Sequence, residues 1–248
     1  MAELKEKVAV VVGGSSGIGA ASARALAAQG ATVAAGYRSG RERAELLVAG
    51  LPGEDHSVFE IHVEDSESIT RAADLLVARY GRVDILVNSA GTTRPVPHSD
   101  LEELDDALID TILASNVRGP FATIRAFRSA LAAHGDGVVI NISSISGFTG
   151  SGSNVGYCAS KAALDTMTMS LARALGPEIR LLCVSPGAVA TDFVAGRDRA
   201  ALEKIALATP LKRVVEPEDV ARAVLACVTH LRATTGVRIV VDGGRFLV

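Results

Sequence analysis

Short apolar runs recur along the chain at 8–12, 32–36, 57–63, 83–87, 138–142, 181–184 and 237–241. Runs of this length, bounded by turn residues, suit strands of a parallel sheet buried on both faces. Longer segments with helical signals lie between them. Residues 18–29 are rich in Ala and stop at Gly30, a C-cap residue. Residues 41–49 continue the pattern. Asp65 or Ser66 can cap a helix that ends near Tyr80-Gly81. Residues 101–133 read as long, mainly helical sequence, and residues 157–175 hold Ala, Leu and Met with no Pro or Gly. Pro217-Glu218-Asp219 opens a last helix, to about residue 231, because Pro suits the first turn and acids suit the N-terminus. Two stretches break the periodicity. Residues 147–156 are rich in Gly and Ser and read as flexible. Residues 192–209 mix charge with small side chains and read as a mobile lid. Strand and helix alternate throughout, with no linker or repeat. The economical fold is a single α/β domain over 1–248: a Rossmann-type, doubly wound parallel sheet of about seven strands flanked by helices.

Composition narrows the function. Of 248 residues, 48% are hydrophobic, which excludes a disordered chain. The net charge of -3 gives no electrostatic case for nucleic acid or an anionic membrane surface. No apolar run reaches the ~20 residues of a membrane span. Residues 1–7 are charged and lack the apolar core of a signal peptide. Cys158, Cys183 and Cys227 are far apart and odd in number, as in a reducing cytoplasm. The five histidines show no metal-binding spacing, so no catalytic metal is expected.

Candidate chemistry sits where strands end. The run 8–12 leads into Gly13-Gly14-Ser15-Ser16-Gly17-Ile18-Gly19 and then a helix. Strand, glycine turn and helix N-terminus make a dinucleotide-binding unit: glycine lets the backbone approach a pyrophosphate and the helix end supplies N–H groups. The second strand ends in Tyr37-Arg38-Ser39. An acid here would take the ribose of NAD, whereas Arg accommodates the extra phosphate of NADP. NADP(H) is therefore favoured, with NAD(H) the other possibility. Asn88-Ser89-Ala90-Gly91 and Pro186-Gly187 follow two further strands, with Thr191 beyond. Asn116 lies inside a helical stretch, where Asn is a poor fit and, if buried, needs partners for both amide ends. Tyr157 and Lys161 stand four apart and share a helix face. A phenol titrates near 10, and a neighbouring ammonium lowers that value, making the Tyr an acid-base group.

In this order and spacing the pieces resemble the short-chain dehydrogenase/reductase family over essentially the whole chain, and most of all its 3-oxoacyl-carrier-protein reductase branch. The resemblance implies that Tyr157 is the general acid in reduction and the base in oxidation. Lys161 lowers the Tyr pKa and bonds the nicotinamide ribose. Ser144, after the fifth strand, steadies the substrate oxygen, and Asn116 holds a water that connects Lys161 to solvent. Val63, Asn88, Ala90, Gly91, Pro186, Gly187, Val189 and Thr191 match cofactor-contacting positions, and the family is usually tetrameric. Val12, His62, Ser89 and Leu182 depart from the family pattern. His62 replaces an Asp near the adenine, which leaves Val63 as the neighbour there.

Reductases of carrier-bound substrates present Arg or Lys near the entrance. The corresponding turns read Ala132-Ala133-His134-Gly135-Asp136 and Gly176-Pro177-Glu178, with neither. That favours a free ketone or secondary alcohol as the partner, a small molecule rather than a carrier protein. An NAD-linked alcohol or sugar dehydrogenase, a carrier-protein reductase, and a nucleotide-sensing protein without catalysis are the other readings.

Overall fold

The structure, a computed structural model, describes residues 3–248. Met1 and Ala2, the start of the charged N-terminal stretch, lie outside the described residues. β1 (Val8–Val12), β2 (Thr32–Tyr37), β3 (Ser57–Glu60), β4 (Ile85–Asn88), β5 (Gly137–Ile142), β6 (Ile179–Pro186) and β7 (Arg238–Val241) form one parallel sheet in the order β3-β2-β1-β4-β5-β6-β7. The strand order reverses at β1, between β2 and β4. A crevice opens there at the carboxyl ends of the strands.

The apolar runs are continuous because both sheet faces are covered. Ala9 and Val11 of β1 join one core with Val33, Ile85, Ile140 and Val184. α1 (Gly17–Ala28) and α9 (Pro217–Thr229) close that face through Leu26, Val220 and Val224. Val10 and Val12 point the other way, into a core with Leu86, Val139 and Leu181. α3 (Ser66–Tyr80) and α5 (Gly119–Ala132) supply Ile69, Leu76, Phe127 and Leu131 to it. Period-two alternation thus feeds two cores from one run.

Several boundaries differ from the sequence reading, each for a local reason. α2 (Arg41–Ala49) falls where expected. The strand read over 57–63 stops at Glu60, because only Ile61 continues the bonding, to the Tyr37 carbonyl. The long helix over 101–133 begins only at α4 (Asp106–Leu113), which the Asp105 carboxylate caps. It then widens into a π turn, Ala114–Arg118, before α5. The stretch 147–156 is less loose than its glycines suggest. It holds α6 (Ser146–Thr149) and the cap of α7 (Val155–Leu175), which starts two residues before Tyr157. Asn154 accepts from the Tyr157 N–H at 2.6 Å and donates to the Arg94 carbonyl at 2.7 Å. The segment read as a lid contains a loop and α8 (Arg199–Leu207), capped by Asp198.

A buried polar ladder holds α5 and α7 on the sheet. Asn88, Asn141 and Cys183 are register partners across β4, β5 and β6. Asn88 donates to Asn141 at 2.9 Å and accepts from Thr123 of α5 at 2.7 Å. Asn141 donates to Thr168 of α7 at 2.9 Å, and the Cys183 thiol donates to the same hydroxyl at 3.1 Å. A buried donor or acceptor left without its partner costs about 1–3 kcal/mol. Asn141→Ala orphans groups on Asn88 and Thr168, so the urea midpoint falls by the equivalent of about 2–4 kcal/mol at unchanged m-value. A midpoint within error of wild type would show that the ladder does not hold the helices.

Candidate active site

The crevice at the strand ends is a cleft of about 1040 Å³. Its floor begins at the glycine turn. Gly13 has φ +77°, and a Cβ there would lie 2.6 Å from the Ala90 N. A Cβ on Gly19 would lie 2.1 Å from the Gly13 carbonyl oxygen. Both positions therefore require glycine, one for backbone conformation and one for close approach. Ser15, Ser16, Gly17 and Ile18 line the cleft, and Gly19 lies just behind them. The first turn of α1 carries no side-chain cap and no acidic residue. Its N–H groups and positive end suit an anion such as a pyrophosphate.

At the β2 end, Tyr37, Arg38 and Ser39 line the cleft with Arg24 and Arg43. Arg38 lies 3.5 Å from Glu64, with the guanidinium largely solvated and the carboxylate half-buried, so that pair is weak. Ile61 and Val63 line the same end. The His62 ring turns away to Glu60 at 2.9 Å. Ala90, Gly91, Pro186, Gly187, Val189 and Thr191 form the middle. Asn88 does not face the cleft, because its amide is committed to the buried ladder.

At the other end, Ser144, Tyr157 and Lys161 converge. Ser144 follows β5, and its hydroxyl accepts from the Ser146 N–H at 3.1 Å, which leaves its own proton free to donate. Lys161 is 4% exposed and donates to the Ile142 carbonyl at 2.8 Å. Its ammonium sits 5.7 Å from the centre of the Tyr157 ring. Burial lowers the Lys161 pKa from 10.5 to about 8. The Asp165 carboxylate, one turn on, works against that shift. Cys183 is held as a neutral thiol by its own burial and adds no charge.

The expectation that Lys161 makes the phenol acidic is corrected here. Burial pushes Tyr157 up to about 12, opposed by the Ser144 hydroxyl and by Arg197. Four-residue spacing puts Lys161 on the face of Tyr157, but the ammonium is drawn to the Ile142 carbonyl. Desolvation of the phenolate outweighs the surrounding charges.

Asn116 stands in the π turn, fully buried. It accepts from the Thr92 N–H at 2.8 Å and donates to the Thr92 carbonyl at 3.0 Å and to Ser160 at 3.1 Å. Both amide protons are used, so its side chain braces α7 against the segment after β4 and has no donor left for a water. π turns often mark functional sites.

Among the cleft residues that the sequence reading did not single out are Phe193 and Arg197, inside the stretch read as a lid, and Arg245 and Phe246. They come from an irregular loop and from the segment after β7, where no periodicity marks a facing direction. The Phe193 ring lies 6.0 Å from the Tyr157 ring, tilted by 51°, and Phe246 meets Phe148 edge-on at 5.7 Å. Leu247 and Val248, which follow Phe246, are exposed. The turns 132–136 and 176–178 precede β5 and β6. They lie at the amino edge of the sheet, opposite the cleft, so their lack of Arg and Lys says nothing about the entrance. Among the described residues no group of three His, Cys, Asp or Glu could hold a metal ion, and no helix is long and apolar enough to cross a membrane.

A family model described as Enoyl-(Acyl carrier protein) reductase matches residues 12–245. A Streptomyces violaceoruber protein assigned as ketoacyl reductase 2 of the granaticin polyketide synthase is 39% identical over 242 residues, 97% of this chain and 96% of that one. The 3-oxoacyl-[acyl-carrier-protein] reductase of Thermotoga maritima is 34% identical over 97% of this chain and 98% of its own. A solved structure from Burkholderia xenovorans, described as a short-chain dehydrogenase/reductase, superposes with a TM-score of 0.90 at 33% identity, over 98% of both chains.

The two shifted groups set opposite pH trends on stability. Stability rises with pH wherever the unfolded chain binds more protons. Lys161 titrates near 8 folded and 10.5 unfolded, so it adds stability as pH rises from about 8 to 10.5. Tyr157 titrates near 12 folded and 10 unfolded, so it removes stability above about pH 10. Urea midpoints of Lys161→Met should lack the rise between pH 8 and 10.5 that wild type shows. Parallel curves for the two proteins would refute the buried ammonium.

Proposed function

This chain belongs to the short-chain dehydrogenase/reductase family, and from that membership we propose that it interconverts a ketone and a secondary alcohol with NADP(H). The observation that carries the proposal is the convergence of Ser144, Tyr157 and Lys161 at one end of the cleft that the glycine turn opens. When bound, the nucleotide supplies hydride to the carbonyl carbon, or accepts it from the alcohol. Gly13 and residues 15–19 would hold its pyrophosphate. Val63 would face the adenine, and Ala90, Gly91, Pro186, Gly187, Val189 and Thr191 would line its path to Tyr157.

Tyr157 gives its proton to the carbonyl oxygen as that oxygen becomes an alkoxide. A phenol held near 12 is fully protonated at neutral pH and so carries the proton that reduction requires. Ser144 donates a hydrogen bond to the same oxygen. Lys161 remains mostly cationic at neutral pH and stabilises the phenolate left behind. Asn154 and Asn116 act as positioning residues, fixing the start and middle of the Tyr157–Lys161 turn.

Three guanidiniums, on Arg24, Arg38 and Arg43, stand at the β2 end, where Tyr37 takes the place of an acid. This supports NADP(H) over NAD(H), since a 2′-phosphate would meet positive charge. Residues 192–209 serve as a lid within one domain, bringing Phe193 over Tyr157. A carrier-bound 3-oxoacyl group is the second reading, favoured by the names of the Streptomyces and Thermotoga relatives.

Two variants test the proposal. Tyr157→Phe lowers kcat by about 10²- to 10⁴-fold while the NADPH dissociation constant, read by fluorescence, moves less than threefold. Near-normal turnover in that variant would remove Tyr157 from the chemistry. Arg38→Ala raises KM for NADPH about tenfold and leaves KM for NADH nearly still. Equal effects on both would assign Arg38 to a surface role.

A further inference from the structure

We propose that the substrate carries a carboxylate close to its reacting carbonyl, and that Arg197 and Arg245 hold it. The inference rests on the carbonyl-reductase reading above and names the class of carbonyl compound.

The two arginines reach the cleft from separate elements. Arg197 comes from the loop before α8, and Arg245 from the turn after β7. Both are half-buried. Arg38, at the β2 end of the cleft, has an acidic partner in Glu64, and nine further arginines (Arg41, Arg71, Arg79, Arg82, Arg199, Arg213, Arg222, Arg232 and Arg238) are paired as well. Among the described residues neither Arg197 nor Arg245 makes an ion pair within 4.0 Å or a side-chain hydrogen bond. Asp192 and Glu218 line the same cleft, beyond that distance from either.

Removing a cation from water without a partner is unfavourable, and a second cation nearby adds repulsion. Both effects act on Arg197: burial lowers its pKa first, and the charge of Arg245 lowers it further. An anion placed between them relieves both. Both guanidiniums line the cleft that holds Tyr157, and Arg197 follows four residues after Phe193, whose ring lies 6.0 Å from that of Tyr157.

The second guanidinium stands on a built turn. The buried Asp242 carboxylate accepts from the Gly244 N–H and the Phe246 N–H, each at 2.8 Å, which clamps the backbone on both sides of Arg245. Phe193 and Phe246 wall the space with apolar surface. Two planar forks matched to a carboxylate, with aromatic walls and one protonated phenol, describe a site for a small oxo acid. A carrier protein would meet its arginines on the outer surface, whereas these two lie inside with Tyr157.

Oxocarboxylates from the 2-oxo to the 5-oxo isomers, each against its methyl ester, test the inference by the ratio of kcat/KM for acid to ester with NADPH. Wild type should prefer at least one acid by more than tenfold. Arg197→Met and Arg245→Met should each cut that ratio by about 10- to 100-fold, through KM for the acid, with KM for NADPH within threefold. Arg197→Lys and Arg245→Lys keep the charge and should retain part of the ratio, which decides the matter if a Met variant does not fold. Calorimetry should show butanoate binding to wild type more tightly than butanamide, with the difference lost in both Met variants. A wild-type ratio near one, an unchanged ratio in the variants, or a better rate on an acyl-carrier-protein thioester would overturn the inference. So would a rise in KM for NADPH instead, which would assign the guanidiniums to the nucleotide. If wild type reduces no carbonyl compound, the reductase reading fails, and the calorimetry alone decides whether the anion site exists.

Discussion

A buried ammonium sets the terms for the rest of this molecule. Lys161 is withdrawn from water on a helix packed against the sheet, and its observed acceptor is the Ile142 carbonyl at the end of β5. Holding a cation there is unfavourable unless geometry is fixed closely around it. The surroundings meet that demand. Asn154 sets where α7 begins, Asn116 bonds Ser160 next to the lysine, and Asp165 places a negative charge one turn further on. The Asp165 carboxylate is itself buried and reaches Arg238 at 3.3 Å. Its other oxygen has no partner among the described residues. α7 thus carries Tyr157, Lys161 and Asp165 at successive turns of one face, and the electrostatics of the cleft end follow from that row.

Much of this was legible in the amino-acid sequence, and the reasons differ by element. The strands announced themselves because a sheet covered on both faces must be apolar at every position, as Val8–Val12 is. The glycine turn was readable because Gly13 and Gly19 stand where any side chain would collide. The spacing of Tyr157 and Lys161 gave their shared face correctly. It could not say that the ammonium would point to a carbonyl, nor that desolvation would outweigh it at the phenol. Asn116 signalled an irregular helix, and the irregularity is a π turn whose register no propensity encodes. Asn88 was read as a cleft residue because it ends a strand. Its side chain faces inward, a matter of parity at the strand's last position.

Arg197 and Arg245 were invisible for a different reason. Loop residues have no period, so nothing in the chain says which way they face. The turns at 132–136 and 176–178 drew attention instead, although they sit at the wrong edge of the sheet. In a parallel sheet the order of strand and helix assigns each loop to one edge. Loops that follow strands border the cleft, and loops that precede them do not. That rule needs no coordinates, and it would have turned attention to the segments after β6 and β7.

The polar ladder through Asn88, Asn141, Thr168 and Cys183 has a consequence for how such a chain can change over time. Asn88, Asn141 and Thr168 each donate one bond and accept at least one other, and Cys183 donates to Thr168, so the rungs are not independent sites. Losing one strands another in a dry interior, whereas exchanging a whole rung pair for apolar groups of matching shape can be nearly neutral. Divergence in this layer is therefore expected to proceed in linked steps, and homologues that abandon the ladder will have replaced it as a set.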